Sequence, residues 1–176
     1  MFSDICILIL FLIDGFLVGI ADFWIDVKKK LDIETFLLVL VSSFLAAYLF
    51  FLSPDAASIL LAIAIGTFVT GKIDNKYFVL AFLIVSISGI LAFFFDKLNI
   101  VAFFALFLGS ALDELMHELS SNIKFPRVIN WIFEYRFIMR FFAIALWLFN
   151  ALEFLFLVAF FFWDLGYEMK EWFERK

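Results

Sequence analysis

Asp14 and Glu153 are carboxylates set inside long apolar stretches of the chain. An ionisable side chain near the centre of a bilayer costs about 2.5–3.5 kcal/mol on insertion scales, so it is retained where it is buried against protein and useful. Asn150 stands three residues before Glu153, the spacing that shares a helix face. Two carboxylates brought together in a low dielectric cannot both stay ionised without a cation between them. Asp14, Asn150 and Glu153 therefore point to a shared proton or a bound cation, the chemistry of ion-coupled transport. Ser42, Ser43, Ser86 and Ser88 fall near the same depth and read as packing groups that bond their own backbone.

A second cluster, Asp113-Glu114-Leu115-Met116-His117-Glu118, holds the single His of the chain. On a helix Asp113 and Glu114 each lie one turn from His117, and Glu118 one turn from Glu114. Glu114-x-x-His117 has the spacing of carboxylate-bridged di-metal bundles, which need a second such motif that this chain lacks. A mononuclear divalent-metal site completed by Asp22 and Asp74 is the remaining metal reading, with His favouring Mn, Fe or Zn over Mg or Ca. Lys28, Lys72, Arg136 and Arg140 flank that level and suit a phosphate or lipid headgroup. No zincin pattern, nucleophile elbow or phosphate-binding glycine loop is present.

The elements that carry these residues follow from composition. The chain has 176 residues, of which 66% are hydrophobic and 29 are Phe, with a formal charge of −5. A soluble domain has about 45–50% apolar residues, so lipid is the solvent for most of this surface. The lone Cys6 excludes a disulfide scaffold, and the acidic balance gives no support for nucleic-acid binding. Six apolar runs, at about 5–25, 36–53, 57–71, 77–95, 100–119 and 137–163, predict an all-α integral membrane protein, a single six-helix transmembrane bundle. Residues 164–176 form a short amphipathic tail, and the connection at 120–136, with Phe125, Trp131 and Tyr135 among basic residues, suits an interfacial element.

Basic residues number nine on connections one, three and five and four on the other side, which predicts both termini outside the cytoplasm of a cell (inner) membrane. A small residue precedes Asp22, Asp74 and Asp113 by about one turn, as three helix-hairpin repeats would produce. The sequence supports two main readings. One is a small transporter or channel subunit for protons, cations or a cation-coupled solute. The other is an intramembrane metal-dependent enzyme acting on a lipid or lipid-linked phosphate at the cytoplasmic face. An accessory or assembly subunit is a third. Partners are the bilayer and a small ion or lipid-like substrate, with self-association open.

Overall fold

In lipid, backbone N–H and C=O groups must be satisfied within the chain, and a continuous apolar run does this as helix. The computed structural model describes residues 4–73, 75–122 and 137–170, together with residues 126, 129, 132 and 133, and is all-helical over its described elements. Asp74, Arg136, most of the 123–136 connection and the tail beyond Lys170 lie outside the described residues. The protein is an all-α membrane bundle. Its helices are α1 (Asp4–Asp26), α2 (Ile33–Leu52), α3 (Pro54–Val69), α4 (Lys76–Phe94), α5 (Ile100–Asn122), α6 (Phe137–Leu148) and α7 (Phe154–Glu168).

Three helices and the Ile100–Ser120 part of α5 are long and apolar enough to cross a membrane, the three being α1, α2 and α4. Side chains such as Ile9, Val41, Phe44, Ile87 and Phe104 are exposed on their outer faces, where lipid would cover them. The short connections are set by local capping. Asp32 accepts from the Thr35 backbone N–H at the start of α2, Ser53 precedes Pro54 at the start of α3, and Asn75 accepts from Tyr77 at the start of α4.

The expected sixth span at 137–163 is instead two helices. Asn150 takes a left-handed conformation (φ 55°), Ala151 N–H donates to Leu146 O (2.8 Å) and Asn150 N–H to Trp147 O (2.9 Å). This is a Schellman end, for which Asn is one of the few tolerated non-glycine residues. The same arrangement closes α3 on Gly71 (φ 74°) and α4 on Asp96 (φ 53°). The apolar run masks the break because Phe149, Ala151 and Leu152 continue the hydrophobicity through the reversal.

Because of this break α7 returns through the bundle parallel to α1. A methyl added to Gly15 would fall 1.9 Å from the Trp163 carbonyl oxygen, and one on Gly19 2.6 Å from that of Tyr167. Positions rise together along the two helices. Gly66 meets Ser110 on α5, and Gly109 meets Met139 on α6, so small residues near the acidic positions are points of closest helix approach. The described ends, Asp4 and Lys170, consequently sit at opposite ends of the bundle, where an even number of crossings would have put them together. One end carries Lys28, Lys29, Lys30, Lys72, Lys76 and Lys170 and is called the basic end; the other carries Lys97. The half nearer Lys97 is filled by Phe11, Leu49, Phe50, Ile59, Leu106 and Phe156.

Candidate functional site

Asp14 lies near the middle of the 23-residue α1 and is 1% exposed. Its Oδ2 accepts from Trp163 Nε1 on α7 at 2.8 Å, an approach made possible by the Gly15 contact one residue away. Its Oδ1 is buried with no hydrogen-bond partner. Asp14 is among the residues lining a cavity of about 670 Å³, which runs from Asp14, Leu60 and Val85 at mid-helix to Asp26, Lys72 and Lys170 at the basic end. The packed half beyond Phe11 closes it. The result is a one-sided vestibule.

Alpha5 builds one wall through Ser110, Asp113, Glu114 and His117, whose spacing of three, four and seven residues keeps them on one face. Asp113 has a structural task. Its two oxygens accept from the Ile138 and Met139 N–H groups at 2.8 and 2.7 Å, so it caps the start of α6 from a neighbouring helix. Glu114 is buried, and His117 Nδ1 is a buried atom with no hydrogen-bond partner. On α2, Ser42 and Ser43 both donate to Val39 O, and Ser88 on α4 donates to Ile84 O, the local bonding expected of membrane serines. Ser86 Oγ has no partner.

The basic groups of the vestibule are paired with acids. Arg140 on α6 donates from Nε to Asp164 Oδ2 (2.6 Å) and from its terminal nitrogen to Glu168 Oε1 (2.7 Å). It therefore bridges α6 to α7 rather than reaching the headgroups. Lys170 and the Tyr167 hydroxyl both donate to Asp22. Burial of Lys170 works against its charge, but the neighbouring Tyr167 and Asp22 raise its pKa above the usual lysine value. Lys72 pairs with Glu118 at 3.6 Å. Lys28 holds its ammonium 5.1 Å from the Phe23 ring centre.

These placements redraw the expected sites. Asp14 and Glu153 are not partners: Glu153 starts α7 at the end opposite the basic one, whereas Asp14 meets Trp163 ten residues along that helix, about 15 Å further by helix rise. Asn150 and Glu153 share no helix face because the chain reverses between α6 and α7 there. Asp22, Asp113, Glu114, His117 and Glu118 do gather at the basic half, but among the described residues no three His, Cys, Asp or Glu side chains are placed to hold a metal ion. Asp22, Asp113 and Glu118 are drawn to Lys170, the α6 N–H groups and Lys72 respectively.

No known protein family, curated protein or solved structure matches this chain.

The polar knot at the Lys97 end was not legible beforehand. Asp55 is 6% exposed and accepts from Asn99 Nδ2 (2.7 Å) and from the Glu153 backbone N–H (2.8 Å). Asn99 Nδ2 also donates to Ala151 O, its Oδ1 accepts from Ala102 N–H, and Ser58 Oγ both accepts from Asn99 N–H and donates to Asn99 O. Ser53-Pro54-Asp55 marks a helix start in sequence, but nothing local says that Asp55 reaches across to α7. Trp163, Asp164, Tyr167 and Glu168 were likewise hidden in what read as a single span and its tail.

Proposed function

We propose that this protein is a small membrane carrier for protons or cations, alone or coupled to a solute, with Asp14 as the binding group at the inner end of the vestibule. The half-satisfied Asp14 carboxylate carries the reading: one oxygen is held by Trp163, the other is buried without a hydrogen-bond partner, and the residue lines the cavity. Buried polar atoms without a partner are uncommon, and one on a side chain that borders a cavity is suited to a ligand. The vestibule is lined by seven carboxylates, those of Asp14, Asp22, Asp26, Asp113, Glu114, Asp164 and Glu168, against the three basic side chains of Lys72, Arg140 and Lys170. Their net negative field attracts cations.

A phosphate-handling enzyme is less well supported, because Lys72 and Arg140 are already paired with carboxylates. The packed half beyond Phe11 favours a carrier that changes conformation over an open channel. Six described Lys at one end and Lys97 at the other favour a cytoplasmic basic end. This orientation puts the start of α1 outside and Lys170, just past α7, on the cytoplasmic side.

In proteoliposomes, the wild-type protein is expected to dissipate an imposed proton or monovalent-cation gradient. Asp14→Asn, close in shape and without charge, should abolish that flux while eluting as a folded species in gel filtration. Equal flux in the two proteins would overturn the proposal.

A further inference from the structure

The dimensions of the vestibule say more about its occupant than its charge does. A dehydrated divalent ion demands about six oxygens within roughly 2.0–2.6 Å, and no described cluster offers even three candidate ligand side chains. The cavity of about 670 Å³ falls instead in the size range of about 300–1,000 Å³ that receives small organic molecules. Its walls mix three kinds of group. Leu60, Ile63 and Val85 give apolar surface; Phe78 and Phe82 give aromatic rings; Asp14 gives a 1% exposed carboxylate whose Oδ1 has no partner.

Resting on the carrier reading above, we infer that the vestibule takes an organic ammonium ion, with its cationic nitrogen at Asp14 Oδ1 and its hydrocarbon body against the aromatic and aliphatic walls. Each wall component has a part in recognising that ligand class. One carboxylate neutralises one positive charge in a medium where an unpaired charge is costly. Aromatic faces attract alkylammonium groups through the ring quadrupole, most strongly when desolvated. Apolar contact then favours an organic cation over a hydrated metal ion of equal charge, which would lose its water and gain no surface. The Trp163 N–H holds the other Asp14 oxygen and so fixes the carboxylate's direction without supplying a countercharge. The acidic lining toward the basic end gives an incoming cation a favourable field along its path.

The test is calorimetric titration of the full-length protein in detergent with benzyltrimethylammonium, using empty micelles as the blank and sodium chloride to match ionic strength. The inference expects saturable one-to-one binding, weakened at least about tenfold in Asp14→Asn, the factor that follows from losing about 1.4 kcal/mol or more of a charge-assisted contact. Phe78→Leu keeps apolar volume and removes a ring face; it should weaken binding about threefold. No binding, or equal binding to wild type and Asp14→Asn, would overturn the inference. Proteoliposome flux separates the two levels. Asp14-dependent proton or sodium flux without benzyltrimethylammonium binding leaves the carrier reading standing and removes the organic ligand. Asp14-dependent binding without flux of any cation removes the carrier reading and keeps the ligand class.

Discussion

The two ends of the bundle use the same ingredients to opposite effect. At the Lys97 end, Asp55 receives the Glu153 backbone N–H and the Asn99 side chain, and Ser58 completes the ring of bonds. At the basic half, Asp14 has one oxygen bonded and one bare, and His117 Nδ1 faces no partner. Both halves also place a buried carboxylate from another helix at the beginning of a short helix, Asp55 for α7 and Asp113 for α6. A fully satisfied polar network makes a rigid join, whereas a partly satisfied one gives up stability and leaves a group available to a ligand. The first end is a clamp, and the second is the receptacle of the proposed function.

The largest stability effect should come from breaking the clamp. Asp55→Ala leaves the Glu153 N–H and an Asn99 N–H without their acceptor, and should destabilise the folded protein by on the order of 3 kcal/mol. Unfolding in detergent, followed by circular dichroism, should show the loss directly, and a wild-type midpoint would dissolve the distinction between the two ends. Asn150 is a smaller lever on the same region. Asn150→Val forces a β-branched residue into the left-handed region, at about 1–2 kcal/mol, whereas Asn150→Gly should unfold with the wild-type midpoint or slightly above it. Equal loss in both variants would mean that the Asn150 side chain, rather than its backbone conformation, holds the reversal.

The smallest effect lies outside the bundle. The Thr35 backbone N–H, assisted by Lys30 and the Thr35 hydroxyl, lowers the pKa of Asp32 from 3.8 to about 2. The sign follows from that direction: a carboxyl depressed in the folded state contributes stability above its unfolded pKa and loses it as pH falls. A slight fall in unfolding midpoint between about pH 4 and pH 2, reduced in Asp32→Ala, is expected. A contribution from Asp32 that grew on acidification would contradict the cap.

How much of this could be read beforehand depended on how local the cause was. Helices in lipid follow from the pattern, because of the two structures that satisfy a backbone in lipid, helices and closed barrels, only helices suit runs that are apolar on every side. Asp14 was legible for the same reason, as a carboxylate inside an apolar run is costly unless used. Its partner was not, since Trp163 lies 149 residues away and meets it through the parallel packing of α1 and α7. The break at Asn150 was hidden because a Schellman end needs only one residue that tolerates the left-handed region, and the neighbouring residues stay apolar. Glu153 looked like Asp14 in one dimension and differs from it in three. Asp113 illustrates the limit most clearly: within its own helix it resembles a ligand beside His117, and the N–H groups it serves come from α6, 25 and 26 residues further on.

The contrast between clamp and receptacle rests on Asp14, and its most direct measurement is cation flux per folded molecule for Asp14→Asn beside Asp55→Asn, in vesicles of one composition. The account predicts that Asp14→Asn unfolds at or above the wild-type temperature and carries no flux, while Asp55→Asn unfolds earlier yet still transports where it is folded. Flux retained by Asp14→Asn and lost by folded Asp55→Asn would contradict it.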